Sequence, residues 1–151
     1  MRSCAFAIHY RNCAQVLIEV DRLAEAEKDI RTAEALEPDH PYIHVRRGYL
    51  AYCRGNDSEA LGCFRDAAGA LSDPTDLNFD LALPLLRLRR GDEALTLIDE
   101  RIRVGTSANE LASMLQYLNR LQQEQPDLPL INDAVMRIET KRSSLTREPP
   151  A

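Results

Sequence analysis

Apolar residues return at helical spacing almost from end to end of the chain, and turn signals break the pattern at regular intervals. The stripes predict helices over about 5–19, 23–36, 42–54, 58–70, 76–90 and 92–104. Asp21-Arg22, Pro38 with Pro41, Gly55-Asn56-Asp57, Ser72-Asp73-Pro74-Thr75, Gly91 and Gly105 mark the breaks. Proline cannot continue a helix, and glycine adopts the backbone angles that end one. Ser107 and Glu110 have capping-box spacing, each side chain able to bond the other's free backbone N–H. They open a seventh helix with Leu111, Met114, Leu115, Leu118 and Leu121 on one stripe, stopped at Gln125-Pro126-Asp127. An eighth, about 129–141, aligns Leu130, Ile131, Ala134, Val135 and Ile138. Nothing reads as a strand, so the expected class is all-α. Residues 143–151 turn polar and proline-rich and are expected to form a disordered tail.

Within this pattern Ala26, Ala60 and Ala94 recur at one fixed interval. Each follows a glutamate (Glu25, Glu59, Glu93) and precedes, one helical turn on, a large apolar side chain (Ile30, Phe64, Ile98). In the preceding helices Ala14, Gly48 and Ala82 recur at the same interval. Helix pairs approach closely only where one partner lacks bulk, and a fixed period of this length means stacked supersecondary units. The pattern resembles the tetratricopeptide repeat, a 34-residue helix-turn-helix unit. The units run about 7–40, 41–74 and 75–108, and the second is the best match. The third puts Arg101 where alanine is usual, and Tyr10, His44 and Asn78 replace the family's first-helix tryptophan. A terminal pair, about 107–141, repeats the alanine step at Ala134 and Ile138, but at a longer interval after Ala94. The resemblance implies a right-handed α-solenoid of about eight helices in a single domain over residues 1–142.

Length and charge narrow the reading. At 151 residues the chain suits one domain. A net charge of −5 argues against general nucleic-acid binding, which needs a clustered basic face. Cys4, Cys13, Cys53 and Cys63 show no metal-ligand spacing and read as thiols in a reducing compartment. No apolar run approaches the ~20 residues that cross a membrane, so a cytoplasmic location is expected. His40 and His44 have an i,i+4 metal-binding spacing, but His40 precedes Pro41 and no third ligand is near. No cofactor, metal site or catalytic motif is assigned.

Family resemblance implies a concave face lined by the first helix of each unit. On this chain it comprises Ile8, Arg11, Gln15 and Ile18, then Tyr42, Val45, Tyr49 and Tyr52, then Asp76, Phe79, Asp80, Leu83, Leu86 and Arg87. The tyrosine row reads either as a binding surface or as packing between helices. The expected function is a non-enzymatic scaffold holding a partner peptide or helix in that groove. Some grooves of this family clamp a C-terminal carboxylate with basic residues, but Asp76 and Asp80 carry the wrong sign for an EEVD tail and suit a basic residue instead. Pro84 is expected to bend its helix. The first helix is expected to expose Phe6 and Ala7. Three alternatives stand beside the scaffold: a C-terminal regulatory or sensor region of a larger bacterial protein, a chaperone similar to those of type III secretion, and a homo-oligomerisation module using the first helix.

Overall fold

The computed structural model describes residues 2–147, and among them the secondary structure is entirely helical. The α-helices are α1 (Arg2–Glu19), α2 (Leu23–Leu36), α3 (Pro41–Cys53), α4 (Asp57–Gly69), α5 (Asn78–Arg87), α6 (Gly91–Arg103), α7 (Ala108–Glu124) and α8 (Ile131–Arg147). Successive helices pack as pairs, α1 with α2, α3 with α4, α5 with α6 and α7 with α8. The chain divides into two compact units, Met1–Pro74 and Thr75–Ala151. No described helix is long and apolar enough to cross a membrane.

The period of the sequence is written into the backbone. Asp21, Gly55 and Arg89 each adopt the left-handed conformation, with φ of 60°, 80° and 60°. At each site the next residue's N–H reaches back five positions: Arg22 to Leu17 at 2.8 Å, Asn56 to Ala51 at 2.9 Å, Arg90 to Leu85 at 2.8 Å. The left-handed residue itself donates three positions back, to Ile18, Tyr52 and Leu86. These paired bonds are the Schellman motif, which satisfies the carbonyls a helix end would otherwise orphan. Only Gly55 takes the conformation without a Cβ penalty. The following helix then starts alike each time. The backbone N–H of Ala26, Ala60 and Ala94 donates to Arg22, Asn56 and Arg90 at 3.0, 2.9 and 3.2 Å. The side chains of those three residues bond Glu25, Glu59 and Glu93.

In the first unit, Ala14, Ile18, Ala26, Ile30, Ala33, Ile43 and Leu50 form the core cluster, drawn from α1, α2 and α3. Helix α3 lies against both α1 and α2. Its Arg47 and the following Arg54 pair with Glu34 and Glu27 of α2. Gly48 lets α4 approach, since the fully buried Phe64 ring occupies the space a Cβ would need.

In the second unit, α6 packs on both α5 and α8. Ser107 and Glu110 form the complete capping box at the start of α7. Three expectations are corrected here. Helix α5 starts at Asn78, after a 3₁₀ turn over Thr75–Leu77, because buried Leu77 and Asn78 anchor the turn and Asn78 donates to Glu100 at 3.1 Å. It then continues through Pro84 and ends at Arg87, short of the expected boundary. Residues 143–147 are not a disordered tail but the last turns of α8. Leu145 continues the Ile131 and Ile138 line at seven-residue spacing and is half-buried, while Ser144 and Thr146 hydroxyls bond backbone carbonyls a turn back. The rest of the expected tail, 148–151, lies outside the described residues.

Candidate functional site

Side chains of α1 and α3 that point away from the core cluster form the candidate surface of the first unit. Ile8 and Gln15 lie two turns apart on α1, and both are exposed. Tyr42 and Tyr49 occupy the equivalent repeat positions on α3. Ile8 and Tyr42 are exposed to nearly the same extent, 47% and 46%. Exposed apolar side chains at one register on neighbouring helices make a surface on which an apolar partner could be buried.

A polar knot fixes how α3 begins. His40 caps α3, its Nδ1 accepting the Tyr42 N–H at 3.2 Å. The Arg11 guanidinium lies against both ring nitrogens of His40, 2.6 Å from Nε2. Arg11 also faces Glu37 at 3.6 Å, and Arg46 Nε donates to the Arg11 carbonyl at 3.2 Å. Partial burial, reinforced by the Arg11 cation and opposed by Glu37, holds the His40 pKa below its usual value. A hydrogen bond to Glu37 and that residue's charge raise the Cys4 thiol. His40, considered above as a metal ligand, is thus a helix cap. Among the described residues no group of three or more His, Cys, Asp and Glu side chains gathers to hold a metal ion.

The remaining groove candidates fall elsewhere. Ile18 belongs to the first unit's core cluster. Val45 and Tyr52 are buried, at 4% and 9% exposure. Tyr49 is half-buried, packed on the core and edge-on to Phe64 with ring centroids 5.2 Å apart. In the second unit Phe79, Leu83 and Leu86 are interior, and Phe79 meets Tyr117 edge-on at 6.5 Å. Their shared cause is that α5 is apolar around most of its circumference, and most of that surface packs inward. Asp80 and Arg87 are half-buried. Asp76 is exposed, yet 3.6 Å from the buried Arg101, so its charge is already met from within the unit.

Arg101 stands where the two preceding repeats carry the buried alanines Ala33 and Ala67. It reaches out of the α6 packing to donate to Thr106 Oγ1 at 2.9 Å and Glu110 at 3.0 Å. The departure from the repeat therefore ties α6 to the start of α7. The Ser107 backbone and hydroxyl bonds, with Arg101 adding its charge, hold Glu110 below the usual carboxylate range.

Sequence reasoning missed the pairing of His40 with Arg11. Pro41 marks His40 as a cap position, but no local signal announces a partner 29 residues away. No model of a known protein family and no curated protein matches this chain.

Proposed function

We propose that this chain is a non-enzymatic, cytoplasmic scaffold of the tetratricopeptide kind, binding a partner peptide or helix along the first helices of its repeats. The observation that supports this best is the recurrence of one helix-ending bond pattern at Asp21, Gly55 and Arg89, one repeat apart each time. Such regular hairpins set equivalent side chains side by side, and stacked repeats use surfaces of that sort to bind extended partners. On this reading Ile8 and Tyr42 supply the apolar burial and the exposed Gln15 sets the partner's orientation, while Arg11 and Arg46 hold the start of α3 in place. Tyr52, Phe79, Leu83 and Leu86 contribute by packing.

The test uses the purified protein as bait in its source lysate beside an Ile8→Asp/Tyr42→Asp variant. Both substituted positions are exposed, so the two proteins are expected to be equally helical and to melt alike. A partner held by the wild type and lost by the variant supports the reading. A partner held equally by both overturns the assignment of this face.

A further inference from the structure

Helix α1 carries a second line of side chains, distinct from that of Ile8 and Gln15, in which Phe6, His9 and Val16 are exposed, Cys13 is half-buried with its Sγ 3.5 Å from His9 Nε2, and Val20 is exposed just past the helix end. Phe6, His9, Cys13, Val16 and Val20 follow one another at alternating intervals of three and four residues. That average of about 3.5 is the spacing of a seam along which one helix packs against another. Phe6, Val16 and Val20 are 58%, 57% and 57% exposed. Ala7, expected to share this exposure, is instead fully buried on the opposite side of the helix. Between Cys4 and Val20 the helix bears two charged residues, and neither lies on the seam. Arg11 turns to His40 and Glu37, and Glu19 accepts from Gln15 at 3.1 Å.

The repeat itself indicates what this face is not built to meet. One repeat after His9 and Val16 stand Ile43 and Leu50, the buried residues with which α3 packs into the α1–α2 core. Flanking them, Arg47 and Arg54 pair with Glu34 and Glu27 of α2. The corresponding α1 positions are Cys13 and Val20. A further hairpin of the internal kind, offering glutamates like those of α2, would find no arginine here and would leave its acids unpaired. An uncharged, apolar helix face fits, and the α1 of another copy is such a face.

We propose that α1 pairs with the α1 of a second copy of this chain, antiparallel, about a two-fold axis at Cys13. Cys13 is the centre of the seam, with Phe6 and Val20 seven residues away on either side, so this register sets Phe6 against the partner's Val20 and Cys13 against the partner's Cys13. A parallel two-fold would bring together the two acidic ends that carry Glu19, Asp21 and Glu25. The antiparallel one keeps them apart, at opposite ends of the pair. One helix face falls well short of the ~800 Å² per partner of a standard stable interface, which places this pairing in the weak class. The dimer forms with a midpoint on the order of 10–100 µM.

Sedimentation of the full chain under reducing conditions, across that range, reads the mass directly. A concentration-dependent rise to twice the monomer mass is expected, with at least a tenfold weakening in Val16→Glu and in Phe6→Glu at unchanged helicity. A Cys4→Ser/Cys53→Ser/Cys63→Ser background oxidised with copper phenanthroline then yields a Cys13–Cys13 disulfide-linked dimer. This arm requires no change to the seam. A monomer at every concentration overturns the proposal. A dimer indifferent to both glutamates, or one that fails to cross-link through Cys13, also overturns it.

Discussion

Gly48→Ala isolates the close approach of α3 and α4. An alanine Cβ at this position would lie 2.5, 2.7 and 2.8 Å from three carbons of the Phe64 ring. Ordinary carbon contacts are ~3.5–4.0 Å, so the ring must move by about an ångström. It has nowhere to go, being fully buried and held edge-on against Tyr49. Overpacking of this sort costs ~1–3 kcal/mol, and three atoms clashing at once puts the cost near the top of that range. Against it stands the ~1 kcal/mol that alanine gains over glycine inside a helix. The net expectation is a destabilisation of about 2 kcal/mol, or a fall of about 4–8 °C in Tm. Gly62→Ala provides the internal control. It lies inside α4 with nothing within 4 Å of the added Cβ, and should stabilise by ~1 kcal/mol. Urea unfolding followed by circular dichroism measures both. Trimming the ring in Gly48→Ala/Phe64→Leu should recover ~1 kcal/mol or more relative to the sum of the single changes. A Gly48→Ala protein as stable as the wild type, or additive behaviour in the double variant, would refute the reasoning.

The other predictions can be checked in the same unfolding assay. At the left-handed positions, Gly55→Ala should cost ~1 kcal/mol and Arg89→Gly should gain somewhat less than ~1 kcal/mol, so a gain from the first or a clear loss from the second contradicts the helix-end reading. Arg101→Ala restores the alanine of the other units but cuts the ties to Thr106 and Glu110. It should therefore destabilise by ~2 kcal/mol, whereas repeat consensus alone predicts a gain. His40 has a depressed pKa, so the unfolded chain takes up the proton first as pH falls through ~6.5. Its contribution to stability is full above that pH and declines below it until the folded form is protonated as well. Comparing wild type with His40→Asn, which keeps a capping side chain, should show that this part of the decline disappears in the variant.

The helices and their period were legible because they are local or repetitive properties. Apolar spacing, prolines, the Ser107 capping box and the triple return of alanine each lie within a few residues or one fixed interval. The small residues Ala14, Gly48 and Ala82 likewise announced close helix approach, and all three are buried. Which side of each first helix looks inward depends on the packing of distant residues and is visible in the fold alone. A helix such as α5 places Leu81, Leu83, Leu85 and Leu86 around most of its circumference, so no stripe in the sequence separates a binding face from a packing face. Tyr42 and Tyr52 have the same chemistry, yet one is 46% exposed and the other 9%. The same dependence on distant residues explains Arg101, which is tolerated at a buried alanine position because Thr106 and Glu110 receive its guanidinium. It also explains the longer α8, whose last turns are held in part by Leu145. Local pattern alone was enough to set the helices, most of their boundaries and the interval at which they repeat, the C-terminal end of α8 excepted. The fold decided exposure, ion pairing and therefore which residues are left for a partner, because those depend on what the chain brings together from far along its length.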